Sequence, residues 1–286
     1  CFPPDTQQLA YANLDQLRDL PNYSQLRLAL FNSRMNGFER LLKSVGSDPE
    51  TDVDAVILGW RGSAMNASSF FGLAEGNFDP TAAQTAVVQQ HLSTRQYAGF
   101  VLSGDHSGAS GGMFFTYLSS TLVAFGRLSD VEALVDGYLG NRSALNSNSN
   151  FVNWEGELDG QAPQWGITTG AAAAKVAAPW LGAGKQSMSD LTALFKPIKA
   201  VLYQVDWSNS FTVHLSVVCD SAGDAQTLDR LLGIWQNSMA ANNGASAGVN
   251  QFMQNVEISA DGSRVELDGS GSPSLLGQLF RNGQPR

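Results

Sequence analysis

"SFFGLAEGNFDPTAAQ", residues 69–84, returns in altered form as "SFTVHLSVVCDSAGDAQ", residues 210–226. Each is an apolar run of strand composition, then a turn carrying an aspartate, then the start of a helix. The stretches before them also match, since "AVILGW" (55–60) answers to "AVLYQVDW" (200–207). Phe70 and Phe211 stand 141 residues apart, and Gln84 and Gln226 stand 142 apart. A separation that holds across two elements predicts a chain of two related halves.

The flanking elements extend the pattern. "LAYANL" (9–14) reads as a strand. Leu28, Phe31, Met35, Phe38, Leu42 and Val45 recur at helical spacing, and Gly46 can end that helix. Asp79 before Pro80 predicts a capped helix start. "YAGFVLS" (97–103), "MFFTYLS" (113–119) and "TLVAFG" (121–126) read as three strands, and Ser129 with Glu132 forms a capping-box pattern for the next helix. In the second half, "PQWGITT" (163–169) reads as a strand, followed by helices in "GAAAAKVAAPWL" and "SDLTALF". A stripe of Ala225, Leu228, Leu231, Leu232, Trp235 and Met239 predicts a helix there too, before strands at "QNVEIS" and "RVELDG" and a terminal helix at "SPSLLGQLF". The expected fold is α+β in two halves, 1–145 and 146–286, each a mostly antiparallel sheet with helices on one face. The β-α-β-β-α-β order predicts a ferredoxin-like core in each.

Alternation in "FTVHLSVVC" turns Phe211, Val213, Leu215, Val217 and Cys219 to one face, and Thr212, His214 and Ser216 to the other. Cys219 therefore belongs to the core as a small hydrophobe.

Composition narrows the function classes. The 286 residues are 43% hydrophobic and 15% charged, and no apolar run is long enough for a membrane helix. A net charge of −9 without a basic stripe excludes nucleic acid as a partner. Two cysteines cannot build a disulfide framework, and neither a metal nor any other cofactor is expected. Few lysines beside many Ser, Asn, Gln and Gly fit a secreted or envelope protein. Cys1 is a candidate for lipidation, as the first residue of a processed lipoprotein, and supplies the only expected link to a membrane. A cut after a signal peptide explains it equally.

The motif with chemical content is "GDHSGASGGM" (104–113), which holds Ser110 in a G-x-S-x-G frame (108–112) with Asp105 and His106 a few residues upstream. A nucleophile elbow requires a helix after the serine, whereas "MFFTYLSS" reads as a strand. The junction instead matches "ISADGSRVEL" in the second half, where Asp261-Gly262 marks a hairpin. An enlarged hairpin tip is the favoured reading; a hydrolase using Ser110 with His106 or His214 is the alternative. Asp48, Glu50, Asp52 and Asp54 alternate as in a calcium loop, but lack its glycine and terminal glutamate. Glu155, Glu157 and Asp159 read as a polar segment between the halves.

"PPDTQQLAYANLDQLRDL", "GNFDP", "YAGFVLS" and "STLVAFGRLSDVEALVD" resemble a family of uncharacterised bacterial proteins, secreted or lipid-anchored, with α+β domains of unknown function. The resemblance implies an envelope location and repeated ferredoxin-like halves, and it carries no catalytic or ligand-binding residue with it. The expected function is a non-enzymatic envelope or secreted protein that binds an unidentified protein or small molecule. A structural subunit of an envelope assembly is a further alternative.

Overall fold

Strands β2 (Val53–Arg61) and β3 (Phe70–Gly76) form where the apolar runs predicted them, and pair antiparallel with Gly59 opposite Phe71 and Leu58 opposite Gly72. The computed structural model describes residues 1–20, 23–61, 70–105, 112–170, 172–173, 196–207, 211–240 and 247–272. The chain forms two units, Cys1–Asp19 with Leu26–Glu155, and Leu20–Gln25 with Gly156–Arg286.

In the first unit, β1 (Thr6–Asn13) leads through α1 (Leu14–Arg18) and α2 (Tyr23–Ser44) to β2 and β3. After α3 (Pro80–Gln89) come β4 (Ser93–Tyr97), β5 (Phe100–Asp105), β6 (Met113–Tyr117) and β7 (Leu122–Gly126), then α4 (Leu128–Leu139) and α5 (Ser149–Glu155). The sheet order is β1-β2-β3-β7-β6-β5-β4, with antiparallel neighbours.

The local signals mostly hold. On α2, Met35, Phe38 and Leu42 are buried, and Val45 just beyond it is buried too. Gly46 takes φ +88° and lets Ser47 N donate to Leu42 O at 3.0 Å, closing the helix. Asp79 Oδ1 accepts from Thr81 N and Ala82 N at 3.0 and 2.9 Å, as its place before Pro80 predicted.

Two expectations are corrected here. "YAGFVLS" is a hairpin instead of one strand: Ala98 and Gly99 have φ +48° and +88°, a turn with both central residues left-handed. The Ser129 capping box does not form, because Arg127 holds the N-cap position without a side-chain bond and Glu132 pairs with Arg95 at 3.1 Å.

Helices lie on both faces of this first sheet, where one face was expected. Phe125 stacks on Phe38 of α2 at 3.8 Å between ring centroids. On the opposite face Phe71 meets Phe2 at 5.8 Å and receives Arg61, whose guanidinium reaches Asp130 of α4 at 3.0 Å. Gly126 sits beside Phe71 on that face, where an added Cβ would come within 2.7 Å of the Phe71 Cβ.

The second unit runs β8 (Gln164–Thr169), β9 (Ile198–Asp206), β10 (Phe211–Cys219), α6 (Ala222–Ala240), α7 (Ala247–Gln254), β11 (Glu257–Asp261) and β12 (Arg264–Gly271). Its order is β8-β9-β10-β12-β11, again antiparallel. Helix α6 buries Ala225, Leu228 and Leu232 on Val201, Val217, Cys219 and Val265. Cys219 is thus a core thiol, as alternation predicted. Helix α7 was not predicted. The helices expected over "GAAAAKVAAPWL" and "SDLTALF" and at the carboxyl end lie outside the described residues, apart from a helical Ala172 and Ala173.

The ferredoxin-like order is not the one observed. That arrangement separates two strands joined through a helix by inserting another between them. Here β1 and β2, joined through α1 and α2, pair directly, and so do β8 and β9. Order along the chain was legible; order across the sheet was not.

Phe38→Ala should cost about 3–5 kcal/mol in urea unfolding, because it empties a fully packed aromatic site. Val88→Ala, at a position 72% exposed, should change stability by less than about 0.5 kcal/mol. Burial pushes the Cys219 thiol up to about 11 from 9.0 and the Tyr203 phenol to about 12 from 10.0. Both groups hold their protons longer when folded. Their stabilisation is therefore complete below pH 9 and is lost as pH rises through 9–12. The urea midpoint should fall across that window, and fall less in Tyr203→Phe with Cys219→Ala.

Candidate functional site

The face of β10 and β12 turned away from α6 carries a ladder of polar side chains. Register sets it: His214 lies opposite Asp268, Ser216 opposite Glu266, and Val218 opposite Arg264. Period-two alternation in both strands then puts Leu215, Val217, Val265 and Leu267 under α6 and His214, Ser216, Arg264, Glu266 and Asp268 on the other side, with Val218 among them.

The contacts form a chain. His214 Nδ1 lies 2.7 Å from Asp268 Oδ1, and Nε2 lies 3.4 Å from Glu266 Oε2. Ser216 Oγ donates to Glu266 Oε1 at 2.9 Å and accepts from Arg264 Nη1 at 3.2 Å. The two terminal nitrogens of Arg264 reach the two carboxylate oxygens of Glu157 at 2.6 and 2.7 Å, a bidentate pair. Glu157 and Leu158 thereby border a shallow, open depression over Leu202, Gln204, His214 and Ser216.

This arrangement presents charge and does not activate a nucleophile. A serine nucleophile needs an imidazole nitrogen as its base. Both nitrogens of His214 face carboxylates, and the Ser216 hydroxyl points to Glu266. Three carboxylates meet one guanidinium and one imidazole here, so the face is acidic whenever His214 is neutral.

The sequence-predicted residues are placed as follows. Ser110 and His106 lie outside the described residues. Asp105 ends β5, exposed, with its backbone opposite Met113. In the acidic loop, Asp48 Oδ1 accepts from Glu50 N at 3.1 Å and Asp52 Oδ2 accepts from Asp48 N at 2.7 Å. Glu50 pairs with Arg27 at 2.8 Å, and Asp54 lies 3.8 Å from Arg18. These carboxylates bind the turn's own amides and nearby guanidiniums. Among the described residues no group of three His, Cys, Asp or Glu is placed to hold a metal. Cys1 is exposed, while Phe2 behind it is buried and its carbonyl accepts from Leu145 N at 2.7 Å.

The hairpin equivalence is also revised. The Asp261-Gly262 hairpin joins β11 to β12, the strand that pairs with β10; in the first unit the strand pairing with β3 is β7, so the matching turn is 118–121 and not 104–113. The polar ladder was half visible, in the His214 and Ser216 alternation. Its partners lie 50 to 107 residues away along the chain and emerge only once β12 is set beside β10.

No protein-family model matches the chain, and no curated protein matches it. Among solved structures it is similar to crystal form I of TP0453, with a TM-score of 0.55 and 12% identity over 98% of this chain and 94% of the other. Crystal form III of TP0453 gives 0.51 and 13%, over 98% and 96%. The likeness is one of fold. No helix among the described residues is long and apolar enough to cross a membrane.

Arg264→Ala should release Glu157 and speed amide hydrogen exchange over residues 156–162. The accompanying loss of stability should be about 1 kcal/mol or less, because the pair is partly exposed. Unchanged exchange would show that the segment is held by other contacts.

Proposed function

We propose that the chain is a non-enzymatic protein of the cell envelope or a secreted one, presenting the open face of β10 and β12 to a partner protein or ligand. One observation carries this reading. Under the 141-residue offset, Phe71 and Leu73 of β3 correspond to Thr212 and His214 of β10. The first unit covers that face with Phe2 and α4, whereas in the second the same face is polar, with the His214 side chain 45% exposed. Among the described residues no helix covers this face, and its exposed His214 and Asp268 are available to something outside the chain.

The two halves are part of the same reading, as products of an internal duplication. Each runs strand, connecting segment, hairpin, helical segment, and then strands whose last member pairs with the second strand of the hairpin. The first half has one additional hairpin's worth of strands. Lipidation at Cys1, whose side chain is exposed, also belongs here as the link to a membrane. Intact mass measurement of protein from its native cells reads that addition directly.

Activity decides between this reading and the hydrolase. Nitrophenyl ester and peptide hydrolysis should match buffer alone for the wild-type chain and for Ser110→Ala. Hydrolysis abolished by Ser110→Ala would overturn the proposal and restore the catalytic loop. Self-association that rises with concentration would favour a structural subunit.

A further inference from the structure

Strand β11 ends the sheet order of the second unit, and among the described residues no strand lies beyond it. Its hairpin to β12 turns on Gly262 and Ser263, with Gly262 at φ +56° and Asp261 opposite Arg264. The pair that closes a two-residue turn is hydrogen-bonded, and bonded and non-bonded pairs then alternate along the strands. Ser259 and Glu257 therefore direct their backbone groups at β12. Ile258 and Ala260 direct their N–H and C=O groups outward, which is the template a further strand needs.

The side chains say what kind of strand would fit. Glu257, Ser259 and Asp261 share the face of the polar ladder, opposite Asp268, Glu266 and Arg264. Ile258 and Ala260 share the other face, where Ile258 packs against the core under α6. A second copy of this strand is a poor occupant: antiparallel pairing centred on Ser259 sets Glu257 against Asp261, like charge on like. A strand alternating basic and apolar residues meets both faces, its cations beside Glu257 and Asp261 and its apolar side chains continuing the row of Ile258 and Ala260.

The geometry points to the outer edge of β11 as a docking site for an extended, basic polypeptide segment that adds to the sheet as an antiparallel or parallel strand. The inference rests on reading the chain as a binding protein, and it names the edge where binding occurs. The ladder of β10 and β12 supplies the field that selects a basic partner; the β11 backbone supplies the hydrogen bonds.

The test uses the full chain and a short fluorescein-labelled peptide alternating lysine and valine, read by anisotropy. Saturable binding is expected, with the glutamate–valine counterpart at least about tenfold weaker. Ala260→Pro removes one outward N–H while leaving the β12 ladder intact, and should weaken the lysine peptide about tenfold. The same peptide N-methylated at alternate residues should fail in one of its two registers, with the protein untouched, which guards against a variant that misfolds. Glu257→Lys with Asp261→Lys should reverse the preference towards the glutamate peptide. Equal binding of both peptides overturns the proposal. So does binding unaffected both by Ala260→Pro and by N-methylation in either register, since that places the peptide on the acidic face by charge alone. Such an outcome would leave the non-enzymatic reading standing, because that depends on hydrolysis and not on this edge.

Discussion

Phe71 and Phe125 point to opposite faces of one sheet, and both are fully buried. Everything else in the first unit answers to that constraint. Phe125 requires α2, whose Phe38 lies flat against it. Phe71 requires a second cover, supplied by Phe2 and by α4, which buries Val131, Leu134 and Val135. Rings of this size on adjacent strands leave no room for side chains beside them. The residues next to them are accordingly glycines: Gly72 faces the Phe125 ring, with an added Cβ 2.8 Å from it, and Gly59 would meet Phe2 at the same distance. A strand pair covered on both sides cannot alternate apolar with polar, so "AVILGW" reads as a continuous apolar run.

That explains what was legible. Apolar runs, caps and stripes report on local environment, and β2, β3, α2 and the Asp79 cap stand where they were expected. The hairpin at Ala98 was not visible, because alanine carries no signal for a left-handed turn, and "STRQY" is too polar to read as a strand. Ser129 and Glu132 satisfied a local pattern that a tertiary contact overrode, since Arg95 on β4 takes Glu132. Helix α7 follows "ANNGAS" and opens on Ala247-Gly248, a composition that reads as loop. Sheet order was beyond local reading altogether. The same succession of elements can lay β2 beside β1 or insert another strand between them, and only the pairing energetics of whole faces decide. The candidate site divides in the same way: His214 and Ser216 declared their face, but nothing near them declared Asp268, Glu266, Arg264 and Glu157.

The polar ladder is not explained by stability. Apart from the buried Ser216, its side chains are exposed enough for water and salt to screen their pairing, so ion pairs of this kind contribute about 0–1 kcal/mol each. Apolar residues at the same positions, covered as Phe71 is covered, would contribute more: burial of one large side chain is worth about 1.5–3 kcal/mol. The first unit shows that this fold accepts such a cover. Among the described residues no such cover lies over β10 and β12, and the carboxylates there outnumber the cations between them. A face built this way holds its side chains in place through mutual pairing and keeps a net negative field. Those are the properties of a surface for charged recognition, where complementarity governs encounter and choice of partner more than it governs folding. They also continue without interruption to β11, the one strand in the unit whose outward backbone still lacks a neighbour among the described residues.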